Sequence, residues 1–142
     1  MIAIVDYGVG NLYSLISSFR AIGVEAVATS DVDIIKNADK IILPGVGAFG
    51  DAIDKLRSTG LDKIVIEQAK LGKCVMGICL GMQLLFEKSF EYGIHDGLGL
   101  IKGEIRPIKD VIPSDLKGPH IGWYIHVAAE EGCIHHRTEF PL

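Results

Sequence analysis

Val75-Met76-Gly77-Ile78-Cys79-Leu80-Gly81-Met82-Gln83 decides how the chain reads: an apolar strand runs into a cysteine with glycine two residues before and two after, and a helix pattern starts beyond it. Val75-Met76-Gly77-Ile78 suits a strand buried on both faces of a parallel sheet, where side chains need not alternate. The paired glycines let the chain turn sharply, leaving the thiol exposed at the carboxyl end of the strand. The helix start adds free N–H groups and a positive dipole end, which stabilise a thiolate and later the negative oxygen of a tetrahedral intermediate. The competing account is a packed core cysteine whose neighbouring glycines serve helix packing, the ordinary fate of a free cysteine. The symmetric glycines at a strand–helix junction favour the nucleophile.

Upstream, the same alternation repeats. Met1-Ile2-Ala3-Ile4-Val5 is a short apolar strand ending at Asp6-Tyr7-Gly8. Asn11 is a good N-cap for a helix in which Leu12, Leu15, Ile16, Phe19 and Ile22 recur at helical spacing until Gly23. Val24-Glu25-Ala26-Val27-Ala28 alternates as a strand, and residues 31–37 read as a short helix capped by Ser30 or Asp31. Lys40-Ile41-Ile42-Leu43 is a third buried strand, stopping at Pro44-Gly45. Residues 49–57 and 61–71 read as two helical stretches separated at Gly60 and closed by Gly72. Downstream, Met82, Leu84, Leu85 and Phe86 open another helix, and Leu98 to Ile108 alternates weakly like antiparallel strand among loops marked by Gly93, Gly97 and Gly99. Strands alternating with helices predict a doubly wound, mostly parallel α/β sheet with helices on both faces.

A chain of 142 residues suits one domain with a real core. With 49% hydrophobic and 23% charged residues it has the composition of a soluble globular protein. A formal net charge of −4 and the lack of a Lys/Arg run argue against a nucleic-acid partner. The uncharged stretch from Val75 to Phe86 is well short of the ~20 apolar residues of a membrane helix. The N-terminus opens a strand pattern rather than a basic segment leading into an apolar signal region, so a cytoplasmic location is expected. Cys74, Cys79 and Cys133 are an odd set without a C-x-x-C pair, which argues against a disulfide framework or a zinc site.

Pro44-Gly45-Val46-Gly47-Ala48-Phe49-Gly50 follows a different strand of the same parallel sheet, so its glycine-rich backbone lies on the same edge as the cysteine elbow and can present N–H donors there. A plain strand–helix connection is the alternative. Gly8-Val9-Gly10 lacks the third glycine of a dinucleotide fingerprint, and no acidic residue ends the second strand, so nucleotide binding is rejected. His95, His120, His126, His135 and His136 have no metal-ligand spacing with a carboxylate cluster; no metal and no cofactor is expected.

Taken together, Ile4-Val5-Asp6-Tyr7-Gly8-Val9-Gly10-Asn11-Leu12, Leu43 to Phe49, Gly77 to Leu85, Gly97-Leu98-Gly99-Leu100-Ile101 and Pro119-His120-Ile121-Gly122-Trp123 resemble the class I glutamine amidotransferases, and among them the glutaminase subunits of imidazole glycerol phosphate synthase in histidine biosynthesis. The resemblance covers residues 1–123. It implies that Cys79 attacks the glutamine side-chain amide to give a γ-glutamyl thioester and ammonia, with water then releasing glutamate. It further implies an oxyanion hole from backbone N–H groups at Leu80 and the Val46–Gly47 turn, and glutamine contacts from Gly47 and Gln83. Ammonia would pass to a cyclase partner, a (β/α)8-barrel subunit forming a heterodimer with this chain, and Asn11 and Trp123 match positions near that interface. Trp123 has a competing account as a core aromatic.

The resemblance stops at Trp123. Residues 124–142 depart from the family pattern, Tyr124 standing where asparagine is expected, and the His-Pro-Glu motif that completes the family's Cys-His-Glu triad does not occur. The amidotransferase domain is therefore expected to be incomplete, C-terminally truncated at residue 123 and followed by a divergent tail. His135 or His136 with Glu139 has neither the family's spacing nor a strand signal ahead of it. A positioned general base contributes typically ~10²–10⁴-fold, so the chain is expected to be defective as an enzyme. A non-catalytic module that binds the barrel partner or glutamine is the alternative.

Overall fold

The computed structural model describes residues 1–110, together with the backbone of strands His126–Ala129 and Cys133–His136. The chain divides into two units, Met1–Pro107 and Ile108–Leu142.

In the first unit, β1 (Ile2–Val5), α1 (Leu12–Ala21), β2 (Ala26–Thr29), α2 (Val32–Asn37), β3 (Lys40–Leu43), α3 (Phe49–Ser58), α4 (Leu61–Lys70), β4 (Cys74–Gly77) and α5 (Leu80–Leu84) follow one another in chain order. The four strands form a wholly parallel sheet in the order β2-β1-β3-β4. Each crossover is made by a helix, as parallel pairing requires. The expected mostly parallel α/β architecture is what the chain adopts.

The core explains why the strands read as unbroken apolar runs. Ala3, Val5, Ile41 and Leu43 join one buried cluster with Ile35 of α2, Phe49, Ala52, Ile53 and Leu56 of α3, and Leu61 and Val65 of α4. Ile4 and Ile42 alternate to the opposite face and are also buried, so β1 and β3 carry apolar residues on both sides. Burying each Ile, Leu or Phe contributes roughly 1.5–3 kcal/mol. The stripe Leu12, Leu15, Ile16 and Phe19 of α1, which packs beside β2, is only half buried.

Helix starts follow the capping residues. The Asn11 side chain accepts from Ser14 N at 3.2 Å, and Asp31, not Ser30, caps α2 by accepting from Asp33 N at 2.8 Å and Ile34 N at 3.3 Å. β2 begins later than the alternating pattern suggested, because Val24 N donates to Phe19 O and Gly23 at φ 70° turns the chain out of α1.

Beyond α5 the structure departs from expectation. The helix ends at Leu84, and Phe86–Ser89 is a strand, β5, in a second sheet with β6 (His95–Asp96) and β7 (Ile101–Ile105), ordered β6-β5-β7. The cause is tertiary. Leu98 N donates to Leu84 O, while Leu100 N and Ile101 N donate to Leu85 O, so a later segment takes the carbonyls that would have continued the helix. β7 runs parallel to β5, correcting the antiparallel reading of residues 98–108; β6 is the antiparallel neighbour.

In the second unit, β8 (His126–Ala129) pairs antiparallel with β9 (Cys133–His136), His126 opposite His136 and Ala129 opposite Cys133. His135 and His136 therefore lie in a strand and a further strand precedes them, correcting the expectation that no strand stands ahead of them. Trp123, and with it the expected boundary after residue 123, lies outside the described residues.

Candidate active site

The elbow has the geometry that its glycines imply. Cys79 sits between β4 and α5 with φ 55° and ψ −120°, a conformation that costs a non-glycine residue of order 1–3 kcal/mol and persists only where its surroundings enforce it. Those surroundings are backbone. Ile78 N donates to Leu43 O at 3.0 Å, Gly81 N to Ile78 O at 3.0 Å and Met82 N to Cys79 O at 3.0 Å. A Cβ at Gly77 would overlap the Met82 backbone, and one at Gly81 would overlap the Leu43 carbonyl. Both glycines are thus required by close approach. The Cys79 side chain is exposed.

Leu80 opens α5, so its N–H is among those a helix leaves without an intrahelical acceptor, whereas the N–H groups of Gly81 and Met82 are already bonded within the turn. Gln83 lies one helical turn beyond Cys79, half buried, with its N–H on Cys79 O at 3.3 Å.

The glycine-rich loop after β3 packs directly on the elbow. A Cβ at Gly45 would stand 2.5 Å from Gly81 N and 3.0 Å from Leu80 Cβ. Pro44 and Gly45 are buried, and the chain then emerges: Val46 is 54% exposed and Gly47 is exposed with φ 91°. The structure therefore brings Val46, Gly47, Cys79, Leu80 and Gln83 to one edge of the sheet, at the carboxyl ends of adjacent strands β3 and β4. Asn11 is exposed at the start of α1.

Two contacts escape the sequence reading. The Tyr7 hydroxyl, buried at the end of β1, donates to Pro44 O at 2.7 Å, and burial pushes the phenol up to about 12. Glu91 Oε2 accepts from Phe49 N at 2.6 Å and so caps α3, whose N-cap Ala48 offers no side-chain acceptor. An uncapped helix start at Ala48-Phe49 is the one local signal that pointed to a distant partner.

The model of the family described as "Glutamine amidotransferase class-I" matches residues 3–140. This chain belongs to the class-I glutamine amidotransferase family. The match takes in all the residues of the elbow and the loop, and it continues past Trp123.

Curated relatives of this amidotransferase chain include the protein named imidazole glycerol phosphate synthase subunit HisH from Sulfurimonas denitrificans, 52% identical over 124 residues, or 87% of this chain and 60% of that protein. The protein of the same name from Bacillus subtilis is 47% identical over 125 residues, 87% of this chain and 59% of that one. The one from Lactococcus lactis is 47% identical over 139 residues, 97% and 67%. The chain thus spans about three fifths of the length of the first two. Among solved structures, one described as a glutamine amidotransferase covers 75% of this chain and 56% of its own with a TM-score of 0.64 at 19% identity, a likeness of fold. A peptidase E described as putative, from Listeria monocytogenes, covers 70% and 62% with a TM-score of 0.58 at 14% identity. Among the described residues no helix is long and apolar enough to cross a membrane.

Proposed function

We propose that this chain is the glutaminase part of a two-subunit synthase, with Cys79 as nucleophile. Cys79 Sγ bonds to the side-chain carboxamide carbon of glutamine as the carbonyl becomes an oxyanion. Collapse breaks the C–N bond and, with a proton delivered to nitrogen, expels ammonia and leaves a γ-glutamyl thioester. Water adds to the thioester, releasing glutamate and the thiol. The sum is glutamine plus water giving glutamate plus ammonia.

One observation carries this reading: Cys79 is held at φ 55° and ψ −120° on a strand–helix elbow, exposed and packed beside the Pro44–Phe49 loop, in a class-I amidotransferase chain. In this proposal the Leu80 N–H and those of the Val46–Gly47 turn receive the oxyanion, for which preorganised donors are typically worth ~10²–10³-fold each. Gly47 and Gln83 contact the glutamine. Ammonia passes to a (β/α)8-barrel cyclase, which joins it to a phosphorylated ribulose aminoimidazole intermediate to make imidazole glycerol phosphate in histidine biosynthesis. The two chains form a heterodimer in the cytoplasm, with Asn11 and Trp123 at its interface. The names of the curated relatives support this assignment.

A second reading is a non-catalytic module that binds the barrel or glutamine through the same surface. Glutamate release from glutamine in the presence of the barrel partner decides between them. The first reading expects release above that of Cys79→Ser; equal rates with retained binding establish the second.

A further inference from the structure

We propose that Tyr7 is a positioning residue for the Val46–Gly47 turn, its buried hydroxyl fixing the Pro44 carbonyl from which that turn departs; the inference rests on the glutaminase reading above.

The loop after β3 is pinned where it leaves the sheet and free where it carries the proposed oxyanion donors. Proline supplies no N–H, so Pro44 registers through its carbonyl alone, and the Tyr7 hydroxyl is that carbonyl's donor at 2.7 Å. The same β1–α1 segment wraps Pro44 closely: a Cβ at Gly10 would lie 3.0 Å from Pro44 Cβ, and Lys55 Nζ of α3 reaches Gly8 O at 3.4 Å. On its other side Gly45 rests on Leu80 and Gly81 of the elbow. Residues 43–45 are therefore held between the Tyr7 segment and the cysteine elbow, and the next residue held from outside the loop is Phe49, whose N–H is bonded to Glu91. Between these anchors stand Val46 and Gly47, both exposed, and Ala48. Gly45 is held by packing alone, and the Pro44 carbonyl is the last group held by a side-chain hydrogen bond before the turn, so its position sets where the Val46 and Gly47 N–H groups stand relative to Cys79.

A simpler account is that Tyr7 fills the core at the end of β1, where it is 2% exposed and belongs to the buried cluster. The hydroxyl separates the two. Tyr7→Phe keeps the ring and its packing and removes one donor, leaving a buried carbonyl unpaired. A pure packing role predicts no specific loss; a positioning role predicts a loss confined to chemistry that develops an oxyanion.

The probe is 6-diazo-5-oxo-L-norleucine, a glutamine analogue whose ketone oxygen takes the place of the amide oxygen, with iodoacetamide as the reagent indifferent to oxyanion donors. In the full chain, Tyr7→Phe is expected to lower the maximal rate of Cys79 labelling by the analogue about tenfold, with half-saturation within about twofold and the iodoacetamide rate at Cys79 unchanged. Tyr7→4-aminophenylalanine, which keeps a para donor, is expected to restore most of the loss. It also stands in for Tyr7→Phe should that variant not fold: labelling then within about threefold of wild type supports the inference, and a loss as large as tenfold in this donor-bearing variant overturns it. Equal analogue rates in wild type and Tyr7→Phe overturn the inference while leaving the glutaminase reading standing. A wild-type chain labelled by iodoacetamide but not by the analogue overturns the glutaminase reading and this inference with it.

Discussion

Glu91 Oε2 accepts the Phe49 N–H at 2.6 Å, so a carboxylate 42 residues downstream caps the helix that Ala48 leaves uncapped. The bond ties the segment between β5 and β6 to the far end of the loop that faces Cys79. A negative charge at a helix N-terminus is favoured by both the free N–H groups and the dipole. Glu91→Ala is expected to lower unfolding free energy by about 1–2 kcal/mol in urea denaturation, and Glu91→Gln, which keeps an acceptor, by less than half of that.

At the elbow, sterics decide. A methyl group at Gly81 would meet the Leu43 carbonyl, and the nearest atoms are backbone, which cannot swing aside as a side chain would. Gly81→Ala is expected to cost ~1–3 kcal/mol and to abolish any preference of a glutamine analogue for Cys79, read by thermal unfolding and by mass spectrometry of the labelled chain. A variant with wild-type stability would show that the elbow does not pack against β3 as described.

The core supplies the contrasting case. Leu56 of α3 is fully buried in the cluster formed by the strands and helices and takes no part in the turn that holds Cys79. Leu56→Ala is expected to destabilise by about 2–5 kcal/mol, while the folded fraction keeps its labelling behaviour at Cys79.

Tyr7 predicts a response to alkali. Its phenol is raised to about 12 by burial, against about 10 in the unfolded chain. The unfolded state releases this proton first, so the stabilisation is fully present below pH ~10 and is lost as pH rises through ~12, amounting to roughly 2–3 kcal/mol. Tyr7→Phe removes that dependence, so the stability difference between the two proteins should narrow as pH rises through this window. Parallel curves would contradict the buried phenol.

Much of the fold is legible from the chain alone, and the limits are physical. β4 reads in sequence as a strand buried on both faces, but among the described residues it has β3 as its one neighbour and exposes Cys74 and Met76. β1 and β3 announce themselves because a parallel strand buried on both faces is an unbroken apolar run, and Asn11 and Asp31 mark helix starts through side-chain acceptors. The boundary between α5 and β5 does not, because Leu84, Leu85 and Phe86 are apolar in either conformation. What ends the helix is the capture of two carbonyls by residues 98–101. The elbow was readable since its glycines sit beside the cysteine in sequence. Tyr7 and Glu91 were not, since each meets the loop across 37 and 42 residues and leaves no periodic trace.

The central claim is that Cys79, by its geometry, recognises and attacks a glutamine-like carbonyl, and the chain holds its own control in Cys74, a second exposed free thiol at the start of β4. The deciding measurement is the site of covalent labelling by 6-diazo-5-oxo-L-norleucine, mapped by peptide mass spectrometry beside iodoacetamide. The expected result is iodoacetamide on both Cys74 and Cys79 and the glutamine analogue on Cys79 but not Cys74, blocked by excess glutamine. Equal labelling of Cys74 and Cys79 by the analogue, or none at Cys79, would contradict it.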